Sequence, residues 1–144
     1  GGPLMGYLSK ALVLMEGPEN GVNEVRVLMQ QRSEVTPIDP LSYEGRQAQH
    51  WKDLLGCCSC ISVGDRSLLK IDMPWFKAYS EWDEIVETLK SLCDDMDINL
   101  SYARMGENYN DFEEETNGEC GSQSICVVRE FSLPPSLKEY FQET

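Results

Sequence analysis

The sequence predicts an α+β fold in which helices cover one face of an antiparallel sheet, and three patterns carry that expectation. "LSKALVLM", Leu8 to Met15, is apolar on both alternating sides, as a strand buried on both faces must be. Trp82, Ile85, Val86, Leu89, Leu92, Cys93 and Met96 trace one side of a helix whose other side is mostly charged. Leu69, Ile71 and Met73, and later Ile98, Leu100 and Tyr102, alternate with polar residues, the period of half-buried strands.

The elements follow in order. Gly1-Gly2-Pro3-Leu4 before Met5 reads as the remnant of a cleaved tag, which puts the native start at Met5. The first strand stops at Glu16-Gly17-Pro18, where Gly17 suits a cap and Pro18 the first position of a helix. Val22, Val25, Leu28 and Met29 carry that helix to Arg32; the rival reading makes Asn20-Gly21 a hairpin turn and "EVRVLM" a second strand. Residues 33–50, broken by Pro37 and Pro40, read as an irregular loop followed by a helical turn. Cys57 to Val63, Gly64-Asp65, and Ser67 to Met73 form a hairpin that Pro74 closes. Ser80 and Asp83 resemble a capping box opening the second helix. A strand follows at Ile98 to Tyr102, then an acidic loop over 107–119, then a further strand from Ser124 to Leu133. The tail, 136–144, carries a short amphipathic helix. The order is βαββαβ with an additional C-terminal strand, the ferredoxin-like arrangement, in one domain over 5–135 with two helices on one face.

Composition limits function. The chain's 144 residues suffice for one domain with its own core. With 12 Lys and Arg against 25 Asp and Glu, the net charge is −13, which disfavours direct binding to nucleic acid or anionic lipid. No apolar run approaches membrane-span length and no secretory leader is evident, so the expected location is the cytoplasm, that of the host cell if phage-encoded.

Several stretches resemble a family. "ALVLMEGPENGVNEV", "HWKDLLG", "LLKIDMPWFKAYSEWDEIVETL" and "INLSYARMGENYNDF" are similar, in that order, to the YubB-like ferredoxin-like proteins of phages, plasmids and related mobile elements. The likeness spans most of Leu8 to Leu133. The family's aromatic signature in the first strand is replaced here by Tyr7-Leu8-Ser9, and its Trp-Gly-Thr-Lys-Trp run by Leu55-Gly56-Cys57-Cys58-Ser59. The resemblance implies a fold and a mobile-element setting, and it brings no catalytic residues.

The candidate chemistry is sparse. Cys57, Cys58 and Cys60 crowd one stretch, with Cys58 and Cys60 on one strand face and Cys57 on the other. A metal site would have to join them to Cys120, Cys126 or His50, whose spacing suits zinc poorly. A disulfide framework lacks an export signal, and a thiolate nucleophile lacks an electropositive setting. His50, the sole histidine, is expected at the surface or in a loop. Asp94, Asp95 and Asp97 end the second helix against its dipole, as a solvated end or a mark for a cation or basic partner. No enzyme activity, cofactor or metal is expected.

The resulting reading is a small acidic protein that binds a protein partner with a basic surface and inhibits a host or defence complex. Asp111, Glu113, Glu114 and Glu115 of the acidic loop, with the charged side of helix 81–96, would meet the partner. Trp75, Phe76 and Tyr79, placed in a loop, would supply apolar burial. Two alternatives stay open: a module binding a small molecule or nucleotide on the open sheet face or between protomers, and a metal-dependent enzyme using the cysteines. Placement of "GCCSCISV" at a sheet edge also allows a homo-oligomer through that strand.

Overall fold

The computed structural model describes residues 8–77, 80–108, 111–117, 126–127 and 131–132. In chain order these form β1 (Leu8–Pro18), α1 (Glu19–Ser33), α2 (Tyr43–Gly56), β2 (Cys58–Val63), β3 (Arg66–Lys77), α3 (Ser80–Asp95), β4 (Asn99–Gly106), β5 (Phe112–Thr116), β6 (Cys126–Val127) and β7 (Phe131–Ser132). The fold is α+β, with an open antiparallel sheet in the order β2-β3-β1-β4-β5.

Strand β1 takes the centre because its side chains are apolar on both sides. Ala11, Val13 and Met15 join Leu69, Ile71, Met73, Leu100 and Tyr102 on the face packed by helices, together with Val22, Val25 and Met29 of α1, Trp51 and Leu54 of α2, and Trp82, Ile85 and Leu89 of α3. On the opposite face Leu12, Leu14, Leu68 and Ala103 are also buried. There Glu16 accepts two bonds from Arg66, at 2.7 and 2.9 Å, and one from the Asn99 amide at 3.2 Å.

The expected two-helix βαββαβ chain needs correction. Among the described residues there are three helices, and β5 adds an edge outside β4, so the five-strand order is not the classic four-strand ferredoxin-like one. Helix α2 occupies much of the expected loop. The Ser42 hydroxyl caps it, accepting from the Gly45 amide at 3.1 Å, and its buried side is Gly45, Ala48, Trp51 and Leu54. A side chain at Gly45 would collide with the Pro40 carbonyl, so the segment at Asp39 and Pro40, which looks like a helix breaker, in fact folds back onto the first turn.

The helix reading of 19–33 holds and the Asn20-Gly21 hairpin does not. Pro18 stands at the N-cap position, one residue earlier than expected, and the Glu19 amide donates to the Asp65 carbonyl at 2.9 Å, so the β2–β3 turn completes the start of α1. That turn has Gly64 at φ 63°, the left-handed value a tight two-residue hairpin needs at its first central position.

Pro74 does not close the hairpin. Strand β3 continues to Lys77, and the β1 register steps from Ala11–Met73 to Ser9–Phe76, so β3 spends three positions where β1 spends two. The extra residue is a bulge, which accommodates the proline nitrogen that cannot donate to a ladder. It also shifts the phase of the strand, turning Phe76 toward the helices.

The acidic segment expected as a loop is in part a strand: β5 pairs with β4 from Ser101–Thr116 to Met105–Phe112. Within the expected strand Ser124 to Leu133, β6 and β7 pair with each other and not with the main sheet, as Cys126–Ser132 and Val127–Phe131. The tail 136–144 lies outside the described residues.

Candidate protein-binding surface

Strand β5 brings the acidic segment alongside α3. Its register puts Glu113 opposite Arg104 and Glu115 opposite Tyr102 on the helix side of the sheet, and Glu114 opposite Ala103 on the other side, where it is exposed. Arg104 organises this end. Its guanidinium donates to Asp111 at 2.7 and 3.3 Å, to Glu113 at 3.3 Å and to the Ser9 hydroxyl at 3.0 Å. The Asp111 bonds, then burial acting the other way, then Glu113, leave the guanidinium more basic than usual. Lys90, the one basic residue of α3, reaches Glu115 at 3.1 Å and Glu87 at 3.4 Å.

Even so, negative charge remains in excess. Asp83 is exposed on α3, and its carboxyl titrates above the ordinary range, through partial burial first and then through Glu113, with Glu115 and Glu87 adding to the effect against Arg104. Like charges gathered on one surface raise a carboxyl in this way. Of the four carboxylates expected to meet a partner, Asp111, Glu113 and Glu115 are thus held in ion pairs within the chain, and Glu114 faces away from α3.

Helix α3 has the solvated end expected, with Asp94, Asp95 and Asp97 all exposed. Asp97 adopts φ 56°, and the Ile98 amide returns to the Cys93 carbonyl at 2.8 Å, closing the helix with a left-handed residue that a short polar side chain tolerates.

The expected aromatic corner is not a loop. Trp75 and Phe76 lie in β3, and Tyr79 is outside the described residues. Phe76 is half-buried, its ring centroid 4.7 Å from that of Trp82 and 6.2 Å from that of His50, both edge-on. Trp82 is fully buried and donates its indole N–H to the Tyr102 hydroxyl at 2.9 Å. His50, expected at the surface, sits on α2 and packs edge-on at 5.8 Å from Trp82; burial lowers its pKa, while Glu81 and Asp53 act to raise it and Arg46 to lower it. Phe76 also lines an open groove of about 380 Å³, with Met73, Pro74, Gly56, Cys57, Lys52 and Asp53.

The cysteines are placed as packing residues. Cys57 is not on the far face of a strand; it is the C-cap of α2, its amide donating to the Asp53 and Leu54 carbonyls. Cys57, Cys58 and Cys60 are each partly buried against the core. Burial pushes the Cys58 thiol up to about 11, and burial with Asp53 and Asp72 raises Cys57, so both are protonated near neutrality. Among the described residues no group of three His, Cys, Asp or Glu side chains could hold a metal ion. Among the described residues no helix is long and apolar enough to cross a membrane.

Arg104 and Lys90 were not singled out by sequence reasoning. The available signal was their rarity: each is an isolated base in an acidic stretch, where a buried or bridging role is the economical explanation. A second missed tie, Arg46 of α2 to the buried Glu81 of α3 at 2.8 Å, depends on a helix the prolines concealed. Compared with family models, with curated proteins and with solved structures, the chain matches none of them.

Proposed function

We propose that this chain is a non-enzymatic protein-binding domain whose α3–β5 face receives a basic surface of its partner. The observation that carries the reading is the convergence of Asp83, Glu87, Glu113 and Glu115 from two elements, with only Lys90 and Arg104 among them. A patch compensated only in part steers a cationic partner and gains from its arrival, because the remaining repulsion within the patch is relieved. The protonated thiols of Cys57 and Cys58 support binding over thiolate chemistry. The resemblance to YubB-like proteins supports a mobile-element setting and an inhibitor of a host or defence complex as the role. For the fold, the β1-to-β2 and β3-to-β4 connections each skip one strand, which supports a ferredoxin-like core elaborated by α2 and β5.

The structure also changes the choice of variant. Reversing Glu113 and Glu115 would break the pairs with Arg104 and Lys90, so binding and stability would fall together. Asp83→Lys with Glu87→Lys alters two exposed residues of the same face, giving up the 3.4 Å contact of Glu87 with Lys90 while Lys90 keeps Glu115, and Glu114→Lys alters the opposite face with equal chemistry. For a partner captured from host lysate and then purified, the double variant is expected to bind at least about tenfold more weakly, with Glu114→Lys near wild type. Equal affinity for all three proteins would reject the acidic face as the binding surface.

A further inference from the structure

The sheet has two edges, and they are built differently. At β5 the sequence is Phe-Glu-Glu-Glu-Thr, so a second copy pairing antiparallel there would set glutamates against glutamates, which is unfavourable. At β2 the sequence is Cys-Ser-Cys-Ile-Ser-Val, with no charge and no proline, in a chain of net charge −13. Edge strands are commonly protected by charge, proline or a bulge, and β2 has none of these.

The phase of the β2 hydrogen bonds follows from one contact. Asp72 donates its amide to the Cys57 carbonyl at 3.2 Å, one step outside the Cys58–Ile71 pair, so that pair is a non-hydrogen-bonded one. By alternation Ser59, Ile61 and Val63 direct their backbone groups to β3, and Cys58, Cys60 and Ser62 direct theirs away from the sheet. Among the described residues no partner strand receives those outward groups, since β2 pairs with β3 alone.

We propose that β2 is a self-pairing edge, on which a second copy of this chain docks antiparallel across a twofold axis through Cys60. Such an axis, normal to the sheet, keeps the helices of both copies on one face and sets residues of the same strand face opposite each other. Centred on Cys60, it pairs Cys58 with the partner's Ser62, Cys60 with the partner's Cys60, and Ser62 with the partner's Cys58. All three outward residues then exchange both backbone bonds with an outward residue. A shift of one pleat in either direction spoils this, because Cys58 would face Gly64, in the turn at φ 63°, or Ser62 would face Gly56, inside α2. The two copies meet at the uncharged edge, whereas the acidic β5 edges end up at the far rims of a ten-stranded sheet, five strands from each copy. The inference is independent of the acidic face on α3 and β5.

Sedimentation equilibrium over concentrations up to about 200 µM tests it, with a reversible dimer expected. Cys60→Pro and Ser62→Pro each delete an outward N–H and leave the β3 ladder intact, so each is expected to weaken dimerisation at least about tenfold while the circular dichroism spectrum is retained. Ser62 is exposed, which keeps the test available should Cys60→Pro fail to fold. A short bismaleimide is expected to join the two Cys60 thiols in the wild type, and Cys60→Ser is expected to lose that product. A monomer at every concentration overturns the proposal, as does a dimer indifferent to both proline variants. A dimer that the proline variants weaken but that never cross-links through Cys60 overturns the register.

Discussion

His50 illustrates how a single side chain acquires a property from its surroundings. In the sequence it is one imidazole in a stretch of mixed polarity; in the fold it stands edge-on to Phe76 and Trp82 and is partly withdrawn from water. Burial holds its pKa below the ordinary 6.5, with Glu81 and Asp53 opposing. The unfolded chain therefore takes up the proton first as pH falls. Stability is expected to decline from about pH 6.5 toward the lower folded value and then level off for this group, a slope that His50→Gln removes. Urea midpoints at about pH 7.5 and about pH 5.5 for both proteins check this, and an equal drop in the two would refute it. Glu81, whose carboxyl is lowered below 4.5 by its own amide and Arg46 in spite of burial, contributes a separate loss at more acid pH. The histidine's role was not legible in the sequence because both rings that surround it come from other elements.

At the scale of elements, legibility tracks how locally each one is stabilised. Strand β1 and helix α3 could be read directly, since their apolar positions recur at the period of the element and meet one core. Helix α2 was concealed: its buried side includes Gly45 and Ala48, which add little apolar signal, and Pro37 and Pro40 precede it. Strand β5 was concealed for a different reason. Three consecutive glutamates have poor strand propensity, and what holds them comes from other elements: Arg104 across the ladder, Lys90 from α3, and the Ile98 and Leu100 backbone to which the adjoining Asn117 is tied. Asn117 is buried; its side chain accepts from the Leu100 amide at 2.7 Å and donates to the Ile98 carbonyl at 2.7 Å, extending the ladder beyond the last residue of β5. Asn117→Ala strands both backbone groups and is expected to cost about 1–3 kcal/mol. Chemical denaturation measures that loss, and amide exchange is expected to accelerate first along Phe112–Thr116.

For the whole molecule, net charge was the most legible property and its distribution the least. A chain at −13 repels itself when compact. The pairs that Arg104, Lys90, Arg46 and Arg66 make relieve only part of this. Added salt screens the remaining repulsion more than it weakens the partly buried pairs, so Tm is expected to rise by a few degrees between about 20 and about 200 mM NaCl. A falling Tm over that range would mean that the ion pairs dominate. Which carboxylates stay exposed and which are tied down could not be read from composition, because it depends on β5 lying beside α3.

The bulge at Pro74 and Trp75 gives β3 a built-in half-period offset, and the strand's two ends answer to different clocks. Upstream, Leu69, Ile71 and Met73 keep step with β1; downstream, Phe76 keeps step with Ser9 only because the surplus residue is bulged out of the ladder. Ironing the bulge flat at constant length would swing Phe76 to the far side of the sheet and unseat it from Trp82 and His50. Deleting Pro74 instead leaves Met73 and Phe76 two positions apart, matching Ala11 and Ser9, so Phe76 keeps its face and the near-ultraviolet circular dichroism of the packed rings is expected to persist. Loss of that signal in the deletion variant would show that the surplus residue does more than mark time, since the phase of this segment survives without it.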